Sequence, residues 1–355
     1  MTKSVHIIGS RLLGGAESFY MRLVRALHEA GEPTSVINRP GSLVARELQG
    51  VVPQQHARMG SSWDVWSRYK VARLIKQAQP DIVQTYMTRA TVMTHVKPES
   101  GTVHVARLGG FYKLARFAHA HAWVGNTHAI CDYLVKGGMA AEKVFYIGNF
   151  VERPQVLAAT QLASLKGQLG IPEEALVVLS LGRMIAKKGF QDLLPAFAKV
   201  PSQVHQRPVH LLLVGDGPLR QELGQQAEQL GVAERVHWAG WQTQTSPYYQ
   251  LADLFVCPSR HEPLGNVILE AWSHCLPVLS TDSHGALELI EEGVSGQLTP
   301  CGEVEAMAKR LTELLLVDET AREALAQKGH ATVEAHYRPE SVLEAYLDLY
   351  QHLKK

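Results

Sequence analysis

The chain has 355 residues, 46% of them hydrophobic and 19% charged, with a net charge of +1. That length exceeds one typical core, so two domains are expected, and the composition is that of a soluble globular protein. No run of about eighteen apolar residues appears, and the N-terminal "MTKSVHIIGSRLLGG" carries no small-residue cleavage site behind a long apolar segment. Neither a membrane span nor a signal peptide is expected.

The net charge conceals an asymmetry. Residues 1–165 hold 19 Lys+Arg against 10 Asp+Glu, and residues 166–355 hold 16 against 24. The first half either meets an anionic surface or carries unevenly scattered solvated charges. The four cysteines, Cys131, Cys257, Cys275 and Cys301, form no C-x-x-C pair. They read as reduced thiols of a cytosolic protein.

Strand-like apolar runs alternate with helical patterns along the chain. The first half offers "VHIIGS", "TSVINR", "DIVQTY", "VHVARLGG", "AWVGNT" and "VFYIGNF"; "GAESFYMRLVRALHEAG" between the first two has helical spacing and a glycine stop. The series pauses between Phe150 and about Pro172, where Pro154, Gly170 and Pro172 mark a linker. It resumes with "LVVLSLGR", "VHLLLVGDG", "RVHWAG", "DLFVCPS" and "PVLSTD". Nearly uninterrupted apolar strands separated by helices predict parallel sheets covered on both faces. The fold class is therefore α/β, with two doubly wound domains facing one another across a cleft.

Ligands of open parallel sheets bind outside the carboxyl ends of the strands, so the loops after each strand carry the functional reading. "GSRLLGGAES" follows the first strand. It lacks the lysine and hydroxyl residue of a Walker loop and the spacing of a dinucleotide fingerprint. Gly14 and Gly15 remain, either as a tight turn or as a place where helix amides approach an anion. "GRMIAKKGF" presents Arg183, Lys187 and Lys188, an arginine fork and point charges suited to a diphosphate, or else a solvated basic loop. In "VGDGP", Gly215, Gly217 and Pro218 make a turn, and Asp216 reads as its structural partner. "SRHEPLGNVILEAW" places Glu262 before a helix starting near Gly265, and Glu270 inside it. The first helix amides suit a phosphate and the carboxylates suit paired hydroxyls, the layout of a nucleotide sugar. A helix-terminal charge and a surface glutamate would leave the same spacing.

"SRHEPLGNVILEA" resembles the E-x7-E motif of the large retaining glycosyltransferase family 4, and "LSLGRMIAKKGF" is similar to that family's Arg and Lys in G-R-x-x-x-x-K-G. "LLLVGDGPLR", "VHWAGW", "GVSGQLTP" and the early "GGAE" match its other landmarks in the usual order. The resemblance implies the GT-B architecture of two Rossmann-like domains: residues 1–165 on the acceptor side, residues 166–337 holding the donor, and a helix at about 338–355 crossing back onto the first. It implies sugar transfer from a nucleotide-diphosphate donor, UDP foremost, with retention and without a metal or other cofactor. By motif position, Arg183 and Lys188 bind the diphosphate and stabilise the leaving group, and Glu262 contacts the donor sugar. Glu270 contacts the ribose, Gly265 and Asn266 meet sugar and phosphate, and Gly15 closes over the donor.

Many family members carry a histidine where this chain has Gly109; His104 lies too early in its strand, and Arg107 or Lys113 is the expected substitute. His119 and His121 in "AHAHAW" have no carboxylate clustered with them and read as an ordinary pair, not a metal site. Two other functions fit the residues: a sugar-nucleotide epimerase of the same architecture, and a non-catalytic nucleotide-sugar binder. The resemblance places the protein in the cytoplasm, acting on a glycan or lipid-linked acceptor in cell-surface polysaccharide or lipopolysaccharide synthesis. Its basic first half is expected to meet the inner face of an anionic membrane. In "SSWDVWSRYKVARLIKQAQ", Trp66, Tyr69 and Arg73 share one helix face, which is either an interfacial anchor or an ordinary core face.

Overall fold

Apolar residues alternate sides along each strand, so a sheet whose two faces are both rich in them must be covered twice. The computed structural model describes residues 1–11, 14–61 and 63–354. It divides into one unit of Met1–Phe150 with Pro339–Lys355 and a second of Val151–Arg338.

The first unit contains β1 (Ser4–Ile8), β2 (Thr34–Asn38), β3 (Gln54–His56), β4 (Ile82–Tyr86), β5 (Val103–Leu108), β6 (Ala122–Gly125) and β7 (Val144–Tyr146). They pair in parallel in the order β3-β2-β1-β4-β5-β6-β7. Ile8, Val36, Ile82 and Val105 face the helix Gly15–Glu29 through Phe19, Leu23 and Leu27, while Val5, Ile37 and Val83 face Val71 and Ile75 on the other side. The last helix, Pro339–Lys354, belongs to this unit: Tyr346 and Tyr350 are buried in the same core as Phe19 and Phe150. The chain leaves β1 toward β2 and β3 on one side and returns with β4 on the other, so the strand order reverses between β1 and β4.

The second unit contains β8 (Leu176–Leu181), β9 (Gln203–Val204), β10 (Arg207–Val214), β11 (Val236–Gly240), β12 (Leu254–Cys257), β13 (Val278–Thr281) and β14 (Gln297–Thr299). The parallel order is β11-β10-β8-β12-β13-β14, with β9 antiparallel on β10. Here the reversal falls between β8 and β12, whose Val178 and Leu179 pair with Leu254 and Phe255.

The expected boundary at residue 165 lies too late. Val151 donates its N–H to the Tyr337 carbonyl and buries its side chain in the second unit's core; Leu165 and Leu169 pack on that core too. The segment read as a linker contains a helix, Ala159–Gln168, that lacks a strand partner but not a hydrophobic one. Three strands among the described residues have no counterpart in the sequence reading, for a related reason: each is only two or three residues long, β14 being "QLT". β3 is "QQH", with no apolar residue, and β9 is two residues long.

Candidate active site

Arg183, Lys188 and Glu262 come from loops at the reversal point of the second sheet, where a ligand of an open α/β sheet binds, and Glu270 from the helix that follows. After β8 the chain makes a short 3₁₀ turn, Ala186–Lys188, and enters the helix Phe190–Ala198 through Gly189. Gly189 has φ +73°, and a Cβ there would lie 1.8 Å from the Pro258 carbonyl oxygen, so no side chain fits. That approach presses the lysine loop onto the end of β12. His261 donates its N–H to the Lys187 carbonyl at 3.2 Å, stitching the two loops together.

Lys188 Nζ forms an ion pair with Glu262 Oε2. Their side chains are 19% and 14% exposed, open enough to be reached yet sheltered from full solvent screening. Burial by itself depresses the Lys188 ammonium. The neighbouring Glu262 carboxylate, with smaller contributions from Cys257 and Glu270, outweighs it and holds the pKa above the ordinary lysine value. Ser259 Oγ donates to the same Glu262 oxygen at 3.4 Å, and Gly285 N–H donates to the Glu262 carbonyl at 2.8 Å. Glu262 is thus fixed at its backbone and at its side chain.

Gly265, at φ +89°, caps the helix Asn266–Ser273 and turns the chain from loop to helix. Glu270 is in that helix, and Tyr249 Oη donates to its Oε2 at 3.0 Å. Tyr249 is fully buried; burial, then the Glu270 charge, push its phenol pKa well above the usual range, so it stays a donor at any physiological pH. Arg183, by contrast, is exposed, and its guanidinium has no hydrogen bond or ion pair among the described residues. The site therefore has one cation locked to a carboxylate and one exposed to solvent. Asp216 fills the structural role read for it: its Oδ1 accepts from Gly217 N–H at 2.6 Å and its carbonyl from Met184 N–H at 2.9 Å.

Comparison with known proteins gives the family of the chain. Residues 163–331 match the family model described as "Glycosyl transferases group 1", and residues 13–153 match "Glycosyltransferase Family 4". The chain is 35% identical over 340 residues to the lipopolysaccharide core biosynthesis glycosyltransferase LpsE of Rhizobium meliloti, covering 95% of both chains. The chain belongs to the group 1 and family 4 glycosyltransferases. It is also 29% identical to LpsD of the same organism over 95% of each chain. Its fold matches Anabaena HepE, solved in complex with UDP and glucose, with a TM-score of 0.85, 22% identity, and coverage of 99% and 100%. The fold is GT-B.

In this glycosyltransferase the first-unit residues fare differently from those of the second. Gly15 opens the helix Gly15–Glu29 after β1, with Gly14 as its extended N-cap and the mostly buried Glu17 in its first turn. Arg107, expected to stand in for the absent histidine, does not. It is only 2% exposed, donates from Nε to Tyr346 Oη at 2.9 Å, pairs with Asn149 Oδ1, and lies 3.8 Å over the Phe19 ring. A guanidinium so enclosed ties β5 to the last helix. Lys113 remains exposed. His119 Nε2 lies 3.0 and 2.9 Å from the Thr91 and Thr94 carbonyls, which makes that nitrogen the protonated one, and His121 Nδ1 accepts from the His104 N–H. Both histidines are held in structural contacts.

The sequence reading missed the contacts that position the site. Tyr249 lies some twenty residues before Glu270, with no motif around it. Arg260 pairs with Asp192 through two 2.6 Å bonds, holding the glutamate loop to the helix Phe190–Ala198. The charges of "RHE" were visible, but which of them faced inward was not.

Proposed function

We propose that the protein transfers a sugar from a nucleotide-diphosphate sugar, UDP-linked, to a glycan or lipid-linked glycan acceptor, with retention of anomeric configuration and without a metal. The observation that carries this reading is the Lys188–Glu262 pair at the second sheet's reversal point, on the same β8 loop as the exposed Arg183. As the bond from the sugar's C1 to the diphosphate breaks, negative charge gathers on the departing oxygen. Fixed cations neutralise it, the role a divalent ion takes elsewhere. Glu262, held against Lys188, faces the sugar, and Glu270, held by Tyr249, accepts from the ribose hydroxyls. Retention and the sugar contact follow the family pattern of the two glutamates. The UDP donor follows HepE, and an acceptor in lipopolysaccharide core synthesis follows LpsE and LpsD.

A thermal-shift panel of nucleoside diphosphates and their sugars tests the donor. A donor at about 100 times its dissociation constant should add roughly 2.7 kcal/mol of stability. UDP should be the base that does so, and transfer of labelled sugar should persist in EDTA. Inhibition by EDTA reversed by manganese would overturn the metal-free mechanism.

The two glutamates should fail differently. Glu270→Gln should chiefly raise KM, because ribose is unchanged during transfer, while Glu262→Gln should chiefly lower kcat, because the sugar is not. Steady-state kinetics with the opposite pattern would reverse the two assignments.

A further inference from the structure

An acidic residue in the first turn of a helix ordinarily stays in solvent, where the free amides and the helix dipole favour it. Glu17 departs from that pattern. It lies in the first turn of the helix Gly15–Glu29, yet it is only 6% exposed, and its carboxyl has no hydrogen bond or ion pair among the described residues. The side chain folds back over the helix start: a Cβ on Gly14 would lie 3.1 Å from Glu17 Oε2. Gly14 and Gly15 are exposed and have no side chains, so the carboxyl can be approached from solvent across them. A carboxyl taken out of water without a partner is costly. Folding alone gives no reason to place one here.

A second enclosed polar group lies at the carboxyl ends of β5 and β6. Asn126 follows β6 and is 3% exposed. Its backbone N–H donates to the Leu108 carbonyl at 3.3 Å, but its side-chain oxygen has no hydrogen-bond partner among the described residues. Gly109, directly after β5, leaves space beside it: a Cβ there would be 3.7 Å from Asn126 Nδ2 and 3.7 Å from Arg107 Nη1. Arg107 links the two groups, since its guanidinium lies 3.8 Å over the ring of Phe19, two residues after Glu17 in the same helix. Tyr112, three residues past Gly109, is within electrostatic reach of both ends. Burial raises its phenol pKa, Arg107 lowers it and Glu17 raises it again, so the net shift is upward and Tyr112 stays a hydroxyl at physiological pH.

The balance of donors and acceptors sets which ligand fits. An anion would lie against the Glu17 carboxyl, and an apolar group would leave both Glu17 and Asn126 unbonded. A hydroxyl both donates and accepts, so it satisfies a carboxyl and a carboxamide alike. We propose that Glu17 and Asn126, with Tyr112 beside them, form a subsite for the hydroxyl groups of a saccharide acceptor, and that the Glu17 carboxyl accepts a hydrogen bond from one of those hydroxyls. The subsite rests on the proposed sugar transfer and supplies residues for its second substrate. Lys188, Glu262 and Glu270, assigned to the donor, all belong to the second unit.

Initial rates of the full chain with a labelled UDP-sugar, varied against the oligosaccharide released from a truncated lipopolysaccharide core, test it. Glu17→Ala should raise the acceptor KM roughly tenfold or more through one lost hydrogen bond to a carboxyl. Glu17→Gln keeps an accepting oxygen and should raise it less, and Asn126→Ala should raise it about fivefold. In all three the KM for the UDP-sugar and the thermal shift given by UDP should stay near the wild-type values. Thermal unfolding supplies a readout that a merely structural role would reverse. Glu17 is buried without a partner, so Glu17→Gln should unfold at the wild-type temperature or above it. A lowered transition in that variant with an unchanged acceptor KM would make Glu17 structural and overturn the proposal. An acceptor KM unchanged in both Glu17 variants would overturn it too, as would a rise confined to the donor KM, which would assign the carboxyl to the donor sugar. A wild type that transferred sugar only from another nucleotide would lose the UDP reading, and would retain this one if Glu17→Ala still raised the acceptor KM.

Discussion

Lys188→Ala is expected to lower turnover at least about a hundredfold, and Arg183→Ala by a similar factor, each equivalent to roughly 3 kcal/mol of lost transition-state stabilisation. The two should reach that loss by different routes. Arg183 has no partner among the described residues, so its removal subtracts one cation and disturbs nothing else. Lys188 is paired, and its removal also strands the Glu262 carboxylate, 14% exposed, without its counter-ion. Stability should therefore fall in Lys188→Ala and not in Arg183→Ala. The linkage has a sign. Glu262 raises the Lys188 pKa above the unfolded value, so the pair's contribution is complete below the ordinary lysine pKa and is lost as pH rises through the raised folded value. Single-turnover assays with saturating donor, read beside thermal unfolding of each variant, separate the catalytic loss from the structural one. Near-normal rates in both variants would remove the diphosphate assignment.

The second sheet was legible in the sequence because its strands are apolar on both faces. "LVVLSL", "VHLLLV" and "LFVC" can be nothing but covered strands, and the loops behind them must then carry whatever binds. The pairing inside the site was not legible. Spacing put Lys188 and Glu262 at two loop ends but could not show them in contact across 74 positions, because that contact depends on Gly189 letting one loop reach Pro258. The same limit explains Arg107. Its position at the end of β5 pointed to a ligand-facing cation, whereas Tyr346, from a helix more than two hundred residues later, encloses it. The aromatic helix failed in the other direction: spacing could align Trp66 and Tyr69, but only the packing of Val71 and Ile75 decided which face was buried.

Lowering the pH from 7 to 5 should destabilise the protein through its buried histidines. His6 is completely buried on β1, with Nδ1 2.9 Å from Tyr86 Oη and Nε2 3.1 Å from Ser4 Oγ. Burial lowers its pKa to about 3. His210 and His237 form a neutral pair in the second unit: His237 Nδ1 donates to the Leu169 carbonyl, so its Nε2 accepts from His210 Nδ1 at 2.8 Å. Burial first, then His237, lower the His210 pKa to about 4. A histidine depressed in the folded state takes its proton in the unfolded chain first. Stability is therefore complete above the unfolded value near 6.5 and falls as pH drops toward the folded one. Between pH 7 and pH 5 each of these two should forfeit about 2 kcal/mol, His6 from the first unit and His210 from the second. His104, buried beside Thr85 with its pKa pushed down by burial and then by His119, adds to the first unit's loss in the same direction. Against a typical domain stability of about 5–15 kcal/mol that is a large fraction. Urea unfolding at pH 7 and pH 5 should show it as a lower midpoint at the lower pH. In His6→Gln, which keeps a hydrogen-bonding side chain but cannot titrate, the first unit's pH dependence should shrink by about 2 kcal/mol. An unchanged slope in that variant would mean that His6 is not the group taking up the proton.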